Sequence, residues 1–156
     1  NHDLVLLVEL WQPVQPTESD RETIERAVRF AATLLSDRCG QGGASLVMAL
    51  AGRRPTVMRG PASQALYRDA MEQLAVAEGA SVDALPDIVS QALENLRSGA
   101  EVVLVSTRSV DVSDSQRFAK VWADKQQQAW LGQILVLDAR EQGLNSWFEE
   151  DALDEH

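Results

Sequence analysis

Leu4-Val5-Leu6-Leu7-Val8, Val102-Val103-Leu104-Val105 and Ile134-Leu135-Val136-Leu137 are stretches that are apolar at every position. A strand with one wet face alternates apolar and polar residues. A strand that is apolar throughout is covered on both faces, which is the condition of a parallel sheet between two layers of helices. Helical patterns fill the intervals between these runs. Ile24, Ala27/Val28, Ala31 and Leu34/Leu35 form one stripe, Leu66, Ala70, Leu74 and Ala77 a second, and Ile88, Val89, Ala92, Leu93 and Leu96 a third. Strands alternating with helices predict a doubly covered α/β/α domain.

Local signals place the element ends. Pro13 and Pro16 end the first run, and Ser19-Asp20-Arg21-Glu22 reads as a capping box opening the first helix, which Gly40 stops. Ser45 to Ala51 and Thr56-Val57-Met58 read as strands. The short Gly52-Arg53-Arg54-Pro55 connection makes them an antiparallel hairpin at a sheet edge. Gly60-Pro61 opens the next helix, with Pro61 in its first turn. A further helix is expected from about Asp83 to Arg97, closed by Gly99. Ser113-Asp114-Ser115-Gln116 reads as a second capping box, leading a helix to about Gln128. A short terminal helix is expected around Asn145 to Glu150. The expectation is therefore one domain over residues 1–150, built on a five- to six-stranded, mostly parallel sheet, followed by a frayed acidic tail over residues 151–156.

At 156 residues with 45% hydrophobic content, such a domain buries roughly two-thirds of its unfolded surface and needs no disulfide framework. The lone Cys39 points to a reducing compartment. No run approaches the about 18 apolar residues of a membrane span. The chain opens at Asn1-His2, with a buried-looking strand starting at Leu4, so a domain of a longer protein is expected, with room for a membrane anchor upstream.

Chemistry is sparse. A net charge of −10 repels phosphate backbones and anionic membranes, and Arg53, Arg54 and Arg59 are too few to reverse that field. Gly40-Gln41-Gly42-Gly43 follows a helix and precedes a strand, the reverse of a phosphate-binding loop. His2 and His156 lie at the chain ends, which leaves no histidine within the domain for a triad or zinc site. Cys39 has no histidine partner and reads as an inert thiol. Neither catalytic residues nor a cofactor are predicted.

In open α/β sheets, ligands bind beyond the carboxyl ends of the strands. That rule nominates Glu9 to Gln12, Ser106 to Arg108, and Asp138. Glu9 directly follows an apolar run, a costly place for a carboxylate unless it is paired. It is either structural, accepting loop N–H groups or pairing with Arg108, or functional. Trp11 is either core packing or an exposed anchor for a partner.

The order strand, helix, hairpin, two helices, strand, helix, strand resembles the von Willebrand factor A fold. More narrowly, Leu6-Leu7-Val8-Glu9-Leu10-Trp11, Ala27-Val28-Arg29-Phe30-Ala31-Ala32, Leu85-Pro86 with its helix to Leu96, and Val102 to Thr107 resemble the domain-of-unknown-function family 58. The wider fold often carries a metal-ion-dependent adhesion site: Asp-x-Ser-x-Ser after the first strand, a Thr from a later loop and an Asp after the fourth strand. The resemblance places the first motif on Glu9-Leu10-Trp11-Gln12-Pro13, where Trp11 and Pro13 offer no side-chain oxygen. Ser81 falls near the Thr position, and Ser106-Thr107-Arg108 supplies no Asp. No metal is expected. The resemblance implies an adaptor or assembly factor, cytoplasmic and working with a MoxR-type AAA+ ATPase or another von Willebrand factor A-like protein. The candidate partner-binding rim comprises Glu9, Trp11, Gln12, Ser81, Thr107 and Arg108. The alternatives are a small-molecule-binding or hydrolytic domain using Glu9 and Asp138, and a structural domain supporting an upstream region.

Overall fold

A computed structural model describes residues 3–39 and 44–141, with the side chain of Cys39 outside the description. Five strands form one sheet in the order β3-β2-β1-β4-β5. They are β1 (Leu4–Glu9), β2 (Ser45–Ala51), β3 (Thr56–Pro61), β4 (Glu101–Ser106) and β5 (Ile134–Asp138). All neighbours are parallel except β2 and β3, the antiparallel edge hairpin that the Gly52–Pro55 connection predicts. The expected mostly parallel sheet is therefore present.

Side chains on a strand alternate between faces, and here each face meets its own helical layer. Leu4, Leu6 and Val8 pack with Phe30, Leu34 and Leu35 of α1 (Glu18–Cys39) and Leu74 of α2 (Gln64–Ala75). Val5 and Leu7 point the other way. They meet Leu85, Ile88 and Val89 of α3 (Leu85–Ala92), Val121 of α4 (Ala119–Ala123) and Leu131 of α5 (Lys125–Leu131), with Phe118 between. That is why β1 tolerates no polar residue before its end.

Several element ends differ from the sequence expectation. The first helix is capped two residues earlier than the Ser19/Glu22 box. Thr17 Oγ1 accepts from Asp20 N at 3.2 Å, while Asp20 Oδ2 accepts from Thr17 N at 2.8 Å, a reciprocal cap of the same chemistry. Pro61 ends β3 rather than opening a helix. It stands opposite Ser45 on the edge strand, where its missing N–H costs no ladder bond, and Ser63 caps α2 by accepting from Leu66 N.

The third helix covers only Leu85–Ala92, because Asn95 adopts a left-handed φ of 56° that no helix continues through. The helix expected from Ser113 to Gln128 is broken into pieces. Asp114 Oδ1, not Ser113, takes the N–H groups of Gln116 and Arg117. Asp124 stops α4 in an extended conformation and caps α5 by accepting from Gln126 N and Gln127 N. Short acidic side chains that bond nearby N–H groups compete with continued helix, and Asp114 and Asp124 do so here. The glycine loop 40–43, both histidines, the helix expected at Asn145 to Glu150 and the acidic tail lie outside the described residues.

Candidate functional site

β1 and β4 lie side by side at the centre of the sheet, and their carboxyl ends converge on one spot. Glu9 shares the face of Val5 and Leu7, so its carboxylate turns toward the loops that precede α3 and α4. Those loops supply Asp83 and Arg117, β4 supplies Ser106 at its last position, and the loop after it supplies Arg108. Glu9 is 2% exposed. Its carboxylate accepts four hydrogen bonds: from Ser106 Oγ at 2.7 Å, Arg108 Nε at 3.1 Å, an Arg108 Nη at 2.9 Å and an Arg117 Nη at 3.1 Å. Asp83 closes the cluster. It accepts from the same Arg108 Nη at 2.9 Å and from Arg117 through Nε at 2.9 Å and Nη at 2.8 Å.

Two carboxylates and two guanidiniums thus alternate in one network. Charge-assisted bonds of this forked kind are the strong class of protein hydrogen bond. The bond from Arg117 holds Asp83 below the ordinary carboxylate value of 3.8, against the opposing effect of burial. Reciprocally, Asp83 raises the pKa of Arg117.

Beside the cluster, Thr107 locks the loop after β1. Its Oγ1 accepts from Trp11 N at 2.9 Å and donates to Trp11 O at 2.6 Å. Trp11 is half-buried. The Arg108 guanidinium lies 4.8 Å from its ring centroid, and its indole N–H donates to Ser81 O at 3.0 Å. Gln12 N donates to Ala80 O and Ala80 N to Leu10 O, both at 3.0 Å, so the loop at 80–81 runs alongside Leu10–Gln12 as a strand-like extension.

The six rim residues nominated from the sequence therefore fall in one neighbourhood, but they do different work. The pairing of Glu9 with Arg108 is present. Glu9 and Thr107 are buried and spend their polar atoms on neighbouring groups, Ser81 contributes its carbonyl rather than its hydroxyl to Trp11, and Trp11 is half-buried against Arg108. Asp138 lies at the end of β5, bonded to Arg140 at 2.6–3.3 Å, which lowers its pKa. Asp83 and Arg117 lie outside the strand ends that the sequence points to, because they sit on the loops before α3 and α4.

The residues present do not fit a divalent cation. The carboxylates of Glu9 and Asp83 do converge, but on the guanidiniums of Arg108 and Arg117, whose charge excludes a second cation. Trp11 and Pro13, in the loop after β1, bring no side-chain oxygen to the cluster. Among the described residues no group of three or more His, Cys, Asp or Glu is arranged to hold a metal.

A search of protein-family models finds no match, and no curated protein is similar in sequence. Among solved structures, a similar chain is that of an aerotolerance-related membrane protein from Bacteroides fragilis carrying multiple mutations to serine. The TM-score is 0.46 at 14% identity, over 87% of this chain and 65% of that one. The present chain thus spans about 65% of that chain's length.

Proposed function

We propose that this chain is a non-catalytic, von Willebrand factor A-like protein-interaction domain whose metal-ion-dependent adhesion site has been replaced by an internal salt-bridge network. The observation that carries the reading is the occupancy of Glu9. Its carboxylate, at the point where a metal ligand would stand, already accepts four hydrogen bonds and has no face toward solvent. The strand order and the antiparallel edge hairpin are compatible with that fold.

The hydrolytic alternative needs Glu9 and Asp138 as free acid and base. Each is instead engaged by an arginine, which favours the interaction reading. On this reading the domain is an adaptor of the family 58 kind, acting in the cytoplasm with a MoxR-type AAA+ ATPase or another von Willebrand factor A-like protein. Among the described residues no helix is long and apolar enough to cross a membrane.

The test is capture of a purified MoxR-type ATPase by the immobilised chain, with and without chelator. Binding should be indifferent to chelator. Trp11→Ala should weaken it roughly tenfold while far-UV circular dichroism is retained. Chelator-sensitive capture, or capture indifferent to Trp11, would overturn this assignment of the rim.

A further inference from the structure

Four large apolar side chains are strongly exposed among the described residues, and three of them lie on one side of the rim: Val14 at 84%, Val82 at 74% and Val76 at 72%. Scattered single hydrophobics are ordinary on a surface; a cluster is a signal. Val14 and Val82 line one groove of about 500 Å³. Val76 lines an adjoining groove of about 360 Å³. The two share the Arg53–Glu78 ion pair at 2.7 Å, which lines both. Arg54 borders the second groove and makes no ion pair among the described residues.

The patch therefore holds two arginines against one glutamate. It is locally positive on a chain whose net charge is −10. Arg54, unpaired among the described residues, can attract a carboxylate, and this place combines that attraction with apolar surface.

We propose that this double groove docks a segment of a protein partner in which apolar side chains are interleaved with carboxylates. The apolar side chains would lie against Val14, Val82 and Val76, and the carboxylates against Arg54 and the outer face of Arg53. The inference rests on the reading of the domain as an interaction module. It names the chemistry of the partner and extends the contact surface from Trp11, whose indole bonds Ser81 in the wall of the first groove, to the exposed flank beside it. Such a mode combines a few buried anchors with charge complementarity that sets orientation and encounter rate.

The test pans a phage-displayed random peptide library against the 156-residue chain and measures binding of the selected peptides by fluorescence anisotropy. The selected peptides should be rich in Leu, Ile, Val or Phe interspersed with Asp or Glu. Val14→Ser and Val82→Ser should each weaken binding roughly fivefold or more, with unchanged melting. Arg54→Glu should weaken it by roughly tenfold at low salt, less as ionic strength rises. Glu78→Gln, which frees Arg53, should strengthen it. Basic peptides, or acidic ones indifferent to these positions, would overturn the proposal. If such peptides lose binding with Trp11→Ala but not with the valine and Arg54 substitutions, the interaction reading survives and the double groove falls. A complete lack of binders would remove both. Concentration-dependent dimerisation abolished by Val82→Ser would give the surface to a second copy of the chain and overturn the assignment to another protein.

Discussion

Glu9 places a charge at the end of a strand that is otherwise apolar on both faces, and the fold keeps it there by surrounding it with donors. A buried ion pair adds little beyond an apolar replacement of the same shape, but removing one partner leaves the others buried and unmatched. Glu9→Ala strands two guanidiniums and the Ser106 hydroxyl, so it should cost about 3–5 kcal/mol in urea unfolding. A loss below about 1 kcal/mol would mean that the network is cosmetic. Asp83 gives the cluster a pH dependence. Its folded pKa lies below the ordinary 3.8, so its contribution is present above that value and lost as pH falls through the folded value. Asp83→Asn should therefore melt below the wild type at pH 7, and the gap should narrow as the pH falls toward 3. A gap independent of pH would contradict the assignment. Glu9, Trp11, Thr107 and Arg108 were legible because strand ends can be read from apolar runs. Asp83 and Arg117 were not, since nothing in the residues alone says which loop faces Glu9. A clue was present nonetheless. Glu9 shares the parity of Val5 and Leu7, so its partners had to come from the layer that covers those two.

At the scale of elements, the strands follow from composition and the helix ends follow from competition. Apolar runs located β1, β4 and β5 within one or two residues, and the hairpin was fixed by its four-residue connection. Helix ends were missed where a side chain outside the consensus cap took the N–H groups, as Thr17, Asp114 and Asp124 do. The loop that carries Glu78 to Ser81 depends on a different feature. It crosses the end of β2 at Gly52, where an added Cβ would stand 2.5 Å from the Glu78 carbonyl oxygen. Arg53 N also donates to that oxygen at 2.9 Å. Gly52→Ala must push the loop away, at a cost of about 1–3 kcal/mol, or several degrees of melting temperature for a chain this size. It should also disturb the indole bond of Trp11 to Ser81, visible as a change in tryptophan fluorescence. An unchanged melting temperature would show that the loop yields freely.

Over the whole molecule, charge and chemistry are separated. The sheet ends hold a neutral, internally satisfied cluster, the flank holds apolar grooves with an excess of arginine, and the chain as a whole carries −10. The proposed interaction reading rests on one claim, that the guanidiniums of Arg108 and Arg117 leave no room for a cation beside Glu9. Melting the chain in millimolar Mg²⁺, Mn²⁺ or Ca²⁺ against a chelator tests it most directly. A cation at 100-fold its Kd would add about 2.7 kcal/mol and raise the midpoint by several degrees. No shift is expected with any of the three; a reproducible rise reversed by chelator would show that a cation does bind and that the arginines do not stand in its place.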